Sequence, residues 1–337
     1  MPEKNSNPFK PMTLTDIMES IDPRQLWITA TAWTALILGW GISSWLHHRG
    51  TTSEELHREL ILRLKTWAII IPVAVVPVLL GPTAIAVAVL LLGTLCFREF
   101  SRATGINHRH RIFIPVFIGL LLASGAILID DHRLLLLSAP LVGLLTCTSL
   151  LLQDQPSGYL KRIALANLGF MLCGLWPGHL GFLCSGPSRG TVLLWFILCI
   201  ELNDVFAFVA GKIAGRTKLC PNTSPGKTRE GLGGSVVLTT CLVTLSGLVL
   251  FPGERLGQAI ILIPVGVLLS LSGSIGDLIL SSIKRDLHLK DMSQSLPGHG
   301  GMLDRCDSLI FAAPVIALTL GLIDSFPALH ELTTSQP

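Results

Sequence analysis

The feature that most limits what this chain can fold into is the length of its uncharged runs. Between Ala68 and Phe97 there is no Asp, Glu, Lys, Arg or His, and the run is broken at Gly81-Pro82. A helix of ~20 apolar residues matches the hydrocarbon core of a bilayer. It also satisfies its own backbone, which lipid cannot do for it. Similar runs recur at 27–46, 112–129, 134–152, 163–184, 191–211, 235–251, 259–283 and 308–323. Residues 68–97 read as two short spans joined at Gly81-Pro82, although a re-entrant hairpin would show the same pattern. The expectation is an all-α polytopic membrane protein with about ten transmembrane helices. Prolines inside several spans, Pro72 and Pro264 among them, are expected to kink them.

Composition agrees: 50% of the 337 residues are hydrophobic and 14% are charged, with mean hydropathy +0.62. A soluble domain carries about 25% charge. The net charge of +3 is spread over loops, so nucleic acid is not an expected partner. The eight cysteines are scattered without a C-x-x-C pair, which supports neither a disulfide framework nor a zinc site. The first apolar run starts behind a polar, partly acidic segment, so no cleavable signal peptide is expected.

Four regions follow: a polar segment at 1–26, transmembrane helices over 27–200, a polar-rich membrane region at 201–323, and a tail at 324–337. Within the second, an amphipathic helix near 52–67 has Leu56, Leu60, Leu64 and Trp67 opposite Arg58, Arg63 and Lys65, as an interfacial helix would. An ordinary connecting helix fits as well. Ten spans sort 19 of the 25 Lys and Arg onto one face and 6 onto the other. By the positive-inside rule the first face is cytoplasmic. Both polar-rich loops, at 212–229 and 284–305, fall on it.

The densest polar stretch is 281–307, with Lys284, Arg285, Lys290, Asp291, His299, Asp304, Arg305 and Asp307 around a P-G-H-G-G turn. A loop that only fixes topology needs Lys and Arg alone. Carboxylates alternating with cations beside glycines suit a metal held by Asp, with phosphates held by Lys and Arg. Three acids, Glu201, Asp204 and Asp277, fall within or at the ends of spans. Such a group costs about 2.5–3.5 kcal/mol at mid-bilayer and normally faces a polar cavity. Gly273, Asp277, Ser281 and Lys284 share one helical face, as if lining a cleft open to the cytoplasm. A self-neutralising Asp277–Lys284 pair is the structural alternative. The S-P-G-K-T of the earlier loop lacks the spacing and preceding strand of a phosphate loop.

The 281–307 stretch resembles the phosphatidate cytidylyltransferase (CDP-diacylglycerol synthase) family. Ser281, Lys284, Arg285, Lys290, Asp291, Pro297, His299, Gly300, Gly301, Asp304, Arg305 and Asp307 fall on its pattern, and Cys306 departs from it. A second block is similar at Asp204, Gly211, Lys212, Ser224, Pro225, Lys227, Thr228, Glu230 and Gly231, with Phe208 and Arg229 as departures. The resemblance covers roughly 201–323.

It implies CTP and phosphatidate as substrates, CDP-diacylglycerol and pyrophosphate as products, and a multi-pass place in the cytoplasmic membrane. It further implies Mg²⁺ on Asp277 and Asp304, with Asp204 or Asp307 as a further ligand. Lys227, Lys284, Arg285 and Arg305 would hold phosphates, and Ser224 and Thr228 would hydrogen-bond them. Gly300 and Gly301 would let substrate approach the backbone, while His299 would touch a phosphate or order the turn. Lys290, Asp291, Glu230 and Ser281 complete the expected site. Oligomeric state is open, a homodimer included. Other readings are a CTP-dependent enzyme acting on a different lipid, an ion-coupled transporter using Glu201, Asp204 and Asp277, and an inactive family member.

Overall fold

A computed structural model describes residues 21–50, 53–106, 110–184, 190–251, 255–296 and 300–325. Most of the polar N-terminal segment, the tail from 326, and Pro297 and His299 lie outside them.

Asp22 caps the first helix, α1 (Pro23–His48), accepting from Arg24 N at 2.9 Å, and Pro23 supplies a preset first-turn φ. The helix therefore begins inside the segment expected to be polar. Next, α2 (Glu54–Leu80) runs unbroken through both the amphipathic stretch and the first half of the apolar run. No glycine lies between residues 54 and 80, so nothing there separates an interfacial helix from a spanning one. Gly81 then turns the chain with φ 94°, and Pro82 starts α3 (Pro82–Ala103). The expected break is where the sequence put it.

Two more apolar helices follow, α4 (His110–Ile129) and α5 (His132–Leu151). Then α6 (Tyr159–Phe170) passes through a wide π-type turn at Met171–Leu175 into α7 (Trp176–Phe182). The last third contains α8 (Thr191–Ala214), α9 (Arg229–Leu250), α10 (Arg255–Asp286), the single turn α11 (Met302–Arg305) and α12 (Asp307–Ser325). Between α8 and α9 sits a feature that apolar patterning cannot report, an antiparallel hairpin of β1 (Lys218–Cys220) and β2 (Ser224–Thr228).

Among the described residues, eight helices are long and apolar enough to cross a membrane. The expected second and tenth spans are shorter apolar helices, Leu64–Leu80 and Asp307–Ile323, so length and hydropathy give eight spans among the described residues rather than ten. Large side chains such as Trp27, Leu160, Ile213 and Val249 are exposed on helix surfaces, as suits contact with acyl chains.

The polar-rich end is built on α8, α9, α10 and α12. α10 packs against α9 and α12. At Gly276 a Cβ would lie 2.7 Å from Phe311 Cβ and 2.9 Å from Asp307 O, so α10 and α12 touch one residue before Asp277. Deeper in, the fully buried Asn203 ties three helices together. Its Oδ1 accepts from Thr239 Oγ1 at 3.0 Å and Ser270 Oγ at 2.6 Å, and its Nδ2 reaches Ser274 Oγ at 3.5 Å. Hydrogen bonds of this kind join membrane helices that have no hydrophobic drive to associate.

Candidate active site

Two polar segments meet at one end of these helices, around a cleft of about 630 Å³. The hairpin contributes Ser224, Lys227 and Thr228, and α8 contributes Asp204 and Phe208. Asp277 and Lys284 come from α10, and Asp304, Arg305 and Asp307 from the turn leading into α12. Nine of the residues expected to act together thus line one cavity, although they come from four separate elements.

The lysines do not pair as helical proximity suggests. Lys284 reaches out of its helix to Asp304 Oδ1 at 2.9 Å, and Asp277 is paired with Lys227 of β2 at 2.6 Å. Ser281 Oγ donates to the other Asp277 oxygen at 3.2 Å, so Ser281 holds the carboxylate and does not itself line the cleft. Lys227 Nζ also reaches Ser274 O at 3.4 Å. The self-neutralising Asp277–Lys284 pair is therefore not formed. Each cation instead bridges two elements across the cleft.

Asp204 accepts from Ser308 Oγ at 3.0 Å, and Asp307 accepts from Ser308 N at 2.8 Å. Asp204, Asp277 and Asp307 lie within electrostatic reach of one another. Among the described residues no three His, Cys, Asp or Glu side chains close on a single point as a ready cage. Mg²⁺ seldom needs one, being held by one or two carboxylates together with substrate phosphates and water. Asp204 and Asp307, each with one oxygen bonded to Ser308, fit that requirement, and Asp277 would join them once Lys227 turned to a phosphate. Asp304 fits less well. It is 4% exposed, Lys284 holds Oδ1, and Oδ2 accepts from Met292 N at 2.8 Å and Gly301 N at 2.9 Å.

Several expected site residues stand outside the cleft, each for a visible reason. Arg285 donates through Nε to Thr223 O at 3.2 Å, tying α10 to the hairpin. Glu230 accepts from Arg216 N and Thr217 N, each at 3.1 Å, so its carboxylate closes the base of the hairpin outside the cleft. Thr228 lines the cleft but also caps α9, accepting from Gly231 N at 3.1 Å. Lys290 and Asp291 are exposed and away from the cavity. Gly300 and Gly301 admit carboxylates. A Cβ on Gly300 would sit 3.0 Å from Asp304 Oδ2, and one on Gly301 would sit 2.5 Å from Glu99 Oε2.

That last contact exposes a residue the sequence reading passed over. Glu99, at the end of α3, accepts from Ser293 Oγ at 2.7 Å and from Met302 N and Leu303 N at 3.0 Å each. Ser295 Oγ donates to it as well. The one available signal was that Glu99 is the only acid among the arginines between residues 97 and 111.

The departures from the family pattern are locally accommodated. Arg229 is exposed, and its backbone N–H still donates to Thr217 O at 2.9 Å. Phe208 lies under Lys212, whose Nζ is 5.7 Å from the ring centroid. Half-buried Cys306 packs on a core that includes Leu303 and Ile310, and loss of water around it pushes the thiol up to about 12.

Fold and site together define a polytopic membrane protein with a cation-rich, carboxylate-bearing cleft at the ends of its helices. The model of the cytidylyltransferase family matches residues 61–323, and the chain belongs to that family, which makes it a CTP-dependent nucleotidyltransferase by class. It is 34% identical over 293 residues to an uncharacterized protein, YnbB, of Escherichia coli (strain K12), covering 85% of this chain and 95% of that protein. It is 32% identical over 163 residues to a phosphatidate cytidylyltransferase of Staphylococcus saprophyticus, which is 48% of this chain and 62% of the relative. With the phosphatidate cytidylyltransferase of Bacillus subtilis (strain 168) the identity is 38% over 132 residues, 39% of this chain and 48% of that one. The matches to these two enzymes thus span less than two thirds of their length.

Proposed function

We propose that the protein transfers the cytidylyl group of CTP to the phosphate of phosphatidate, giving CDP-diacylglycerol and pyrophosphate. The observation that carries this reading is the convergence of Lys227, Lys284 and Arg305 with Asp204, Asp277 and Asp307 on one cleft at the ends of apolar helices. A phosphatidate oxygen forms the new bond to the α-phosphorus of CTP as the bond to the β-phosphate bridging oxygen breaks. The nucleophile is already an anion, so no strong general base is required. The obstacle is bringing two polyanions together, and fixed cations remove it.

Lys227 and Lys284 would neutralise the triphosphate and the departing pyrophosphate, each moving only from a carboxylate to a phosphate oxygen. Arg305, exposed at the cleft, suits bidentate contact with phosphate. Asp204, Asp277 and Asp307 would hold Mg²⁺, which when bound supplies Lewis-acid polarisation of the phosphoryl oxygens. Asp304 would join them only through Oδ1, which Lys284 already holds. Ser224 and Thr228 place hydroxyls along the same wall. The site would face the cytoplasm, where CTP is found, with the lipid arriving sideways from the inner leaflet.

The test is pyrophosphate release by detergent-purified protein given CTP, Mg²⁺ and phosphatidate, beside Asp277→Asn. Turnover that needs both substrates and falls by about 10³-fold in the variant supports the reading. Pyrophosphate release with an ether-linked lipid phosphate but not with phosphatidate would keep cytidylyl chemistry and change the acceptor, whereas CDP release with a polyprenol would change the group transferred. Equal turnover by both proteins would remove Asp277 from the site.

A further inference from the structure

The longest-range polar contact in the site comes from outside the cleft, and it gives the N-terminal half a part in catalysis. The loop between α10 and α11 is held at two places by carboxylates. Asp304 gathers Met292 N and Gly301 N from within the loop. Glu99, 8% exposed and belonging to a helix nearly 200 residues earlier, gathers the far side. Its Oε1 accepts from Ser293 Oγ, Ser295 Oγ and Met302 N, and its Oε2 from Leu303 N. Met302 N and Leu303 N are the first two amides of α11, and helical backbone amides at that position have no partner of their own. Leu296 N donates to Gly300 O at 2.8 Å. Asp304, which directs Lys284, is the next residue after Leu303.

We infer that Glu99 is a positioning residue for the nucleotidyl-transfer site: it fixes the start of α11 so that Asp304, Arg305 and Asp307 face the phosphates. This inference rests on the function proposed above. Four donors converge on one buried carboxylate, and each is a group of the catalytic loop. An amide in its place must point N–H at a donor, so Glu99→Gln disturbs this set with almost no change in volume. Phe97 and Phe100, on either side of Glu99, are almost wholly buried and fix the end of α3 against the same core as Leu303. Support of this kind keeps reacting groups in register without touching substrate.

The experiment compares the full-length wild-type protein with Glu99→Gln in detergent, in two measurements. Amide hydrogen exchange without substrate should show Met302 and Leu303 exchanging about tenfold or more faster in the variant, with the amides of α8 and α9 unchanged. Turnover should show kcat/KM for CTP falling about 100-fold and the Mg²⁺ midpoint rising several-fold, a shift that simple loss of folded protein does not produce. A double variant, Ser293→Ala with Ser295→Ala, removes two donors, leaves the carboxylate on the backbone amides, and should move both readouts part of the way. It also serves if Glu99→Gln does not fold.

Unchanged exchange at Met302 and Leu303 would overturn the clamp whatever the turnover. Faster exchange with an unchanged Mg²⁺ midpoint and kcat/KM would overturn its bearing on the site. Wild-type protein that shows the exchange difference but turns over CTP with no lipid would overturn the proposed function and leave the clamp standing.

Discussion

The hairpin between α8 and α9 is held by its backbone, whereas the loop between α10 and α11 is held by carboxylates. Lys218 and Cys220 pair with Thr228 and Ser224, and Arg229 N closes on Thr217 O at 2.9 Å. Glu230 only finishes that structure. Among the described residues of the other loop, Leu296 and Gly300 form a backbone bridge, and Glu99 and Asp304 gather the amides of Met292, Gly301, Met302 and Leu303. The hairpin brings Lys227 to Asp277, and the carboxylate-held loop leads into Asp304, the partner of Lys284 of α10. The Lys227–Asp277 pair is a quarter exposed, while the Lys284–Asp304 pair is nearly buried. Removing a side chain should therefore change chemistry at the first segment, and both chemistry and local structure at the second.

The largest effect should come from Asp304→Asn. Losing one partner of a buried pair costs about 3–5 kcal/mol, so activity should fall by three orders of magnitude or more and the protein should melt earlier. Pyrophosphate release together with a thermal unfolding scan checks both. A normal melting curve would break the contrast between the segments. Lys227→Met comes next, with kcat/KM for CTP down about 100-fold and the melting temperature within a few degrees of wild type. Glu230→Gln should be milder still, raising KM for CTP by about 3- to 10-fold as the hairpin base loosens, because a neutral amide oxygen accepts less strongly than a carboxylate.

The smallest effect lies at the opposite end of the bundle. The hydrogen bonds from Arg24 hold the Asp22 carboxyl below its ordinary value. A depressed carboxyl stabilises the fold above its unfolded pKa, and the gain disappears as pH falls through the folded value. Asp22→Asn should lower the melting temperature by about 2 °C at neutral pH. That gap should begin to narrow as the pH drops below the ordinary Asp value of about 3.9 and close as it passes below the folded value. A gap that widens in acid would show the stabilisation coming from something other than the charge.

What the sequence made legible follows from range. The Gly81-Pro82 break is set by two adjacent residues, and the structure has it. The unbroken α2 was harder to foresee, because hydropathy changes near Thr66 while helix propensity does not. Asp277 and Lys284 do lie on one helical face, but seven residues separate them by about 10.5 Å of rise, so their partners come from elsewhere. A one-dimensional pattern could gather the cleft residues and could not tell which carboxylate each lysine holds. Glu99 was hidden because an acid among arginines at a helix end looks like ordinary surface. Its four donors are distant in sequence and become visible only when the chain is folded.

Asn203 carries a consequence for how the protein is made. Synthesis delivers α8 to the bilayer before Thr239 of α9 exists, and Ser270 and Ser274 of α10 come later still. Until then its side-chain amide has none of its three final partners, and lipid offers no substitute. Thr239 arrives first and satisfies one acceptor site, and the two serines complete the set. Docking of α10 is thus the event that makes α8 comfortable in hydrocarbon, and α10 is also the helix that brings Asp277 and Lys284. Settled insertion of α8 and assembly of the cleft become a single step of biogenesis.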